Sequence, residues 1–400
     1  MIAAQILSPA LALSAALATA AQAASTTIIY SFGSGADGAY ADTDLVRDAS
    51  GNLYGATVKG GTHASGTVWQ LHPNRDGSWT HTVLFNFTGG ADGSEPYKGV
   101  TLDAAGNLYG TAVTGGSGPC EGGCGVVYTL ASNGGTWTQS VIHSFSGADG
   151  QGPGSAVTLD DHGNVFGTTP TGGTNGFGNI YELKRSKTGA WKFVELHPFS
   201  GPDGAGGSAG RLLFTGKAFY GANTAGGEGD AGNIFELKRS HGAWKYSVLY
   251  SFPGAPGAGF PYGGLMRDAR GSLFGTTYYD GEYGLGGVYE LAQKHGKWRG
   301  QVLYDFPGDP DGAAPISSLA MDSAGTLYGT TSAGGADDGT IFSLAPKGKG
   351  WKERVLHAFT DTPDGEYPYT GMIADGAGHF FGATAFGGEH AAGAIYEFTP

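Results

Sequence analysis

The chain has 400 residues, 76 of them glycine and 18 proline, yet 40% are hydrophobic and 12% aromatic. Glycine does not fall at every third position, which excludes collagen, and abundant aromatics with only 14% charged residues exclude simple disorder. The balance of 22 basic against 35 acidic residues gives a net charge of −13 and argues against nucleic acid as a partner, because phosphate binding needs clustered positive charge.

Residues 1–23 come first. They carry no charged side chain and end Ala21-Gln22-Ala23, a small-x-small cleavage pattern. They are expected to be a signal peptide, although no Lys or Arg precedes the apolar stretch. Residues 24–400 are then expected to form a single domain, secreted or periplasmic and monomeric. No later run is long and apolar enough to span a bilayer as a helix. The two cysteines, Cys120 and Cys124, agree with export, since an even count there suggests a disulfide. Free thiols are the alternative. A metal site would need further ligands nearby, and the adjoining sequence offers none.

The remainder repeats one unit seven times. A hydrophobic-aromatic-glycine triplet recurs at Leu53-Tyr54-Gly55, Leu108-Tyr109-Gly110, Val165-Phe166-Gly167, Phe219-Tyr220-Gly221, Leu273-Phe274-Gly275, Leu327-Tyr328-Gly329 and Phe380-Phe381-Gly382. Its aromatics are spaced by 55, 57, 54, 54, 54 and 53 residues. A tryptophan eight residues before a phenylalanine marks the end of six units, from Trp79 and Phe87 to Trp351 and Phe359. Each unit reads as four short strands broken by Gly, Asp and Pro, with no sustained helical period. Four strands at this repeat length predict an all-β, seven-bladed β-propeller. Seven units have only six Trp-to-Phe strands after them. The missing one is at the front, where 26–32 matches Val248 to Phe252. The N-terminal strand should therefore complete the last blade and hide two sheet edges.

The pattern VLYSF…DG…G-x-L…D-x-x-G-N-L-Y-G-T-T…G-G…G-x-V-Y-E-L resembles the GloVer tandem-repeat family of exported bacterial proteins over essentially all of 26–400. The resemblance implies a repeat and export, and it supplies no catalytic residues. The family is named for a repeat beside a variable C-terminal anchor. None is visible before Pro400, so release or periplasmic retention is expected over covalent sorting.

Most repeated residues have structural explanations. The triplet aromatics should pack between blades. Asp48, Asp103, Asp160, Asp268, Asp322 and Asp375 precede a turn glycine and should cap their own turns. The fourth unit has Thr215 there. His143, His197 and His357 share a position with Tyr30, Phe85, Tyr250 and Tyr304, as expected of a packing slot. Gly206-Gly207-Ser208-Ala209-Gly210 fits a nucleophile elbow, but that motif needs a strand-to-helix turn.

The loops carry more. In propeller geometry the fourth-to-first and second-to-third connections share a face, expected to be acidic, with a basic opposite rim. The acidic face holds Tyr97, Phe260, Tyr262, Tyr278, Tyr279, Tyr283, Tyr367, Tyr369 and Phe386. One loop, Tyr278-Tyr279-Asp280-Gly281-Glu282-Tyr283, concentrates aromatics and acids where the other units have Gly-Gly. A ligand site is expected there, formed by Tyr262, Tyr278, Tyr279, Asp280, Glu282 and Tyr283. Loops on a rigid scaffold are where binding usually resides. The reading is a binding or scaffolding protein whose ligand is a carbohydrate or an envelope protein. A propeller-type polysaccharide lyase or glycoside hydrolase, and a purely structural cell-surface repeat, are the alternatives. No catalytic residue and no cofactor is assigned. The acidic loops could hold Ca²⁺, but no motif selects it.

Overall fold

A computed structural model describes residues 24–33, 35–335 and 337–400. The expected signal peptide, 1–23, lies outside the described residues. Among those described there is no helix, and the strands form seven sheets, one per repeat, set around a common axis. The protein is a seven-bladed β-propeller.

The first blade shows the pattern. Val46–Arg47 is innermost, followed outward by Leu53–Thr57, Thr67–Pro73 and Trp79–Asn86. Each strand pairs antiparallel with the next. The seventh blade is built from both ends of the chain: Ser25–Ser31 pairs with Ala394–Thr399, Ser25 opposite Thr399 and Ser31 opposite Ala394. The register proves the equivalence. Every third-to-fourth strand pair carries an irregularity at the third-strand aromatic, as between Val68 and Trp69, and the closing pair carries it between Ile28 and Tyr30.

The triplet glycine is required for space. It pairs across the sheet with a third-strand aromatic, Gly55 with Trp69 and Gly275 with Tyr289. The ring lies flat over it: a Cβ on Gly55 would meet the Trp69 ring at 2.5 Å, and one on Gly329 would meet Phe342 at 2.7 Å. These rings are fully buried. Seven apolar clusters, each spanning two adjacent blades, form the core. The triplet aromatic and the outer tryptophan of the next blade meet edge-on, as Tyr54 does Trp137 and Tyr109 does Trp191, both at 6.4 Å. Such edge contacts add to the area they bury. Threonines latch the inner edge: Thr111 donates to the Ser155 carbonyl and Thr276 to that of Ser317, each at 3.0 Å, from one blade to the next.

The turn aspartates act as expected. Asp48 Oδ1 accepts from the amides of Ser50 and Asn52 at 2.8 and 2.9 Å, and the other five repeat the arrangement. The ring slot does more than pack. Tyr30, His143, His197, Tyr304 and His357 each hydrogen-bond the Asp of the following Asp-Gly turn, at 2.6–3.0 Å. Packing alone would accept any ring. In these five blades the polar tip is explained by the carboxylate it holds.

Candidate functional site

Short bridges join the two sets of connections on one face, Ala39 with Lys59, Ser94 with Thr114 and Glu366 with Phe386. The basic third-to-fourth hairpins lie on the other. At the axis, seven lead-in segments converge just before the innermost strands. Four residues ahead of Val46, Thr101, Thr158, Leu213, Met266, Ala320 and Ile373 stand Asp42, Tyr97, Gly154, Ala209, Tyr262, Ile316 and Tyr369. Two residues ahead stand Asp44, Gly99, Ala156, Arg211, Gly264, Ser318 and Gly371. At this second position small residues dominate because seven chains crowd one axis. The large and charged exceptions are therefore the informative ones.

Those exceptions meet. Lys98 Nζ lies 2.7 Å from Asp42 Oδ1, with both side chains buried. Burial opposes the charge on Lys98, but the carboxylates of Asp42 and Asp44 outweigh it and raise its pKa. Burial raises the Asp44 carboxyl too, against the pull of Arg211 and Lys98. Arg211 reaches from the fourth blade to the second, where Nη2 donates to the Val100 carbonyl at 3.0 Å. Asp44, Gly264, Ser318 and Gly371 line space both above and below this level. Above it Lys98, Tyr262 and Tyr369 close the channel toward the loop face. Below it the channel opens to the opposite face as a funnel of about 680 Å³, walled largely by Leu45, Leu102, Leu213, Phe214 and Ile373.

The loop face thus presents a platform around a plugged axis. Tyr97 and Tyr262 are each 36% exposed. Burial first, then Asp42, push up the hydroxyls of Tyr97 and Tyr369. Tyr262 and Tyr278 rings are 5.9 Å apart and Tyr278 and Tyr279 rings 3.8 Å. Contact with Tyr279 first, then burial, push the Tyr278 hydroxyl up to about 12. A further chain of rings runs from Tyr369 through Tyr367 and Phe386 to Tyr40.

The six site residues expected from sequence are divided by the structure. Tyr278, Tyr279 and Asp280 end a strand, Leu273–Asp280, and are not loop. That strand runs on because it also pairs with Ala258–Pro261, giving this blade a fifth strand; the fourth blade does the same with Ala205–Ser208. Tyr262 and Tyr278 are brought together. Asp280, at φ 64°, takes the place of the first glycine of Gly-Gly. Its carboxylate lies against the Gly254 and Gly259 backbone. The neighbouring turn has changed with it: Pro256 replaces the usual Asp, and the Gly281 amide donates to the Gly257 carbonyl at 2.8 Å. Glu282 and Tyr283 turn outward, toward Asp305 and Tyr304 of the outer strand. Tyr283 is 52% exposed and stands apart from the platform.

Sequence reasoning missed Asp42, Asp44, Lys98, Arg211 and Tyr40. For Asp44, Lys98 and Arg211 the available signal was positional: charge in columns otherwise filled by Gly, Ala, Ser and Thr. Ser208 is no nucleophile elbow, since it ends a strand and its hydroxyl donates to the Gly210 carbonyl at 2.7 Å. Cys120 and Cys124 form a disulfide. Among the described residues no three His, Cys, Asp or Glu side chains are placed to share a cation, and no helix is long and apolar enough to cross a membrane.

Solved structures share this architecture at low identity. A Lactobacillus plantarum protein matches with a TM-score of 0.55 at 14% identity, covering 83% of this chain and 88% of its own. A Bacteroides uniformis protein provisionally assigned as a 6-phosphogluconolactonase matches at 0.52 and 14%, covering 83% and 89%. Its Bacteroides fragilis counterpart, with the same provisional assignment, matches at 0.51 and 14%, covering 87% and 86%. At that identity the likeness shows the fold alone. No curated protein matches the sequence. The repeat itself does find its family: a profile described as the Gloeobacter/Verrucomicrobia repeat matches residues 117–300 and 245–400, more than half of the chain, and the protein belongs to that family.

Proposed function

We propose that the protein is a carbohydrate-binding propeller acting outside the cytoplasm, with its site on the tyrosine platform at the loop-face end of the axis. The observation that carries this reading is the meeting of Tyr97, Tyr262 and Tyr369, from one register position in three blades, with Tyr278 around the buried Lys98–Asp42 pair. Aromatic faces stack on the apolar faces of sugar rings, and phenol, ammonium and carboxylate groups pair with hydroxyls. The platform is shallow because Lys98, Tyr262 and Tyr369 close the channel behind it. A shallow aromatic surface favours holding a glycan chain over enclosing a small substrate for chemistry. The disulfide supports export, since disulfides persist in oxidising compartments.

The test is a glycan array probed with the mature chain, with Ca²⁺ and with chelator, followed by a search for cleavage products. Saturable binding without product supports the proposal, and dependence on Ca²⁺ would add a cation to it. Turnover of a bound glycan would replace it with an enzyme. No binding to any glycan would direct the search to an envelope protein.

A further inference from the structure

The opposite face carries a second, independent feature. Between the third and fourth blades lies a groove of about 790 Å³ whose lining includes Lys184, Arg185, Lys217 and Arg239. None of the four forms an ion pair among the described residues, although the whole chain carries a charge of −13.

Local structure explains how the cations are held. Arg185 lies opposite Trp191, and Arg239 opposite Trp244, across the outer hairpins. Their guanidinium carbons sit 5.5 and 4.7 Å from the indole centroids, so the rings orient the guanidinium groups from one side. Capping the tryptophan does not require arginine. Pro73, Ser132, Gln293 and Pro346 do the same in four other blades. Only the two blades flanking this groove have Lys-Arg there.

The groove has also lost an acid. The first-to-second strand turn begins with Asp in six repeats, but in the fourth blade it begins with Thr215 and is one residue shorter, with Lys217 in the turn. Two turn carboxylates line the groove: Asp160 is occupied by the amides of His162 and Asn164 at 2.9 and 2.8 Å, and Asp161 is exposed beside it. Asp161 is a departure toward negative charge, where other turns have Ala, Ser or Gly, but Lys-Arg in both blades, the lost aspartate and Lys217 outweigh it.

We infer that this groove binds an acidic glycan, its carboxylate or sulfate groups paired with the two arginines and two lysines. Guanidinium groups oriented by a ring present planar donors that match an oxyanion. A groove of this size accommodates a short run of sugars. The inference does not depend on the tyrosine platform, which lies on the other face.

The test is calorimetric titration of the mature chain with a heparin octasaccharide and with an oligogalacturonate, at low and high salt, with cellohexaose as the neutral control. Expected is saturable, salt-sensitive binding of at least one acidic probe, and the tighter of the two names the oxyanion. Lys217→Ser with Arg239→Gln, residues of the kinds other blades use, should weaken it at least ~10-fold. Lys347→Gln with Lys349→Gln, on the sixth hairpin of the same face, should leave it unchanged. The inference fails if neither acidic probe binds at low salt, if the groove variant weakens cellohexaose binding as much as acidic-probe binding, or if that variant retains native affinity for the acidic probe.

Discussion

Lys98 and Asp42 join the second blade to the first through an ion pair of 2.7 Å in which both partners are largely buried. Breaking such a pair from one side strands a buried charge, at a cost of about 3–5 kcal/mol. Lys98→Met should therefore lower the melting temperature by several degrees. Lys98→Met with Asp42→Asn should recover much of the loss, because no charge is then left unpaired. Calorimetry of the two variants checks this, and equal melting temperatures for both would contradict it.

The platform makes a separate prediction. Tyr262→Ala with Tyr278→Ala should abolish binding of the array glycan while changing thermal stability little, since both rings remain partly exposed. Tyr283→Ala should leave binding intact, because that ring stands outside the platform. Titration calorimetry against the same glycan distinguishes the two variants. Loss of binding in Tyr283→Ala alone would return the site to the outer turn.

Much of this fold was legible because its constraints are local and repeated. Gly275 must be glycine under Tyr289, and every blade repeats the pair, so the sequence displays seven copies of one steric rule. The closing strand was legible for the same reason, since Phe32 ends it as Phe252 ends another. The site was half legible. Tyr262 and Tyr278 are conspicuous in a glycine-rich chain. Lys98, Asp42 and Arg211 are not, because isolated charged residues between strands read as surface. They are buried only because seven distant segments converge on one axis, and no local pattern records that. Glu282 and Tyr283 show the limit of adjacency: after Asp280 the chain turns outward, and neighbours in sequence part in space.

Gly275→Ala tests the steric rule directly. A methyl group there would press on the Tyr289 ring, which is buried and cannot withdraw. Overpacking of this kind costs about 1–3 kcal/mol. The melting temperature should fall, and Gly275→Ala with Tyr289→Phe should recover part of the loss, because the hydroxyl is the nearest obstruction. An unchanged melting temperature in the single variant would contradict the packing.

One position in the fourth strands, two residues after the tryptophan, carries opposite pH responses in two blades. His81 stacks on Tyr30 at 4.4 Å, and burial lowers its pKa to about 4. Its neutral form is the stable one, so its contribution is present above about 6.5 and is lost as pH falls toward about 4. Glu353 holds the same place beside Tyr304, and burial first, then Asp311, raise its pKa to about 7. It folds best protonated, so its contribution is full below about 4.5 and is lost as pH rises through about 7. His81→Phe should accordingly raise the melting temperature at mildly acid pH and change it less above neutrality. Glu353→Gln should do the reverse, by on the order of 1 kcal/mol once solvent screening of a partly exposed group is allowed for. Melting curves across pH check both signs.

The most direct measurement of the central claim is a crystal structure of the mature chain with the glycan that binds most tightly on the array. The account predicts a sugar ring stacked against Tyr262 or Tyr278, with hydroxyls directed toward Tyr97, Tyr369 and the Lys98–Asp42 pair. A glycan seated elsewhere, with the platform empty, would contradict it.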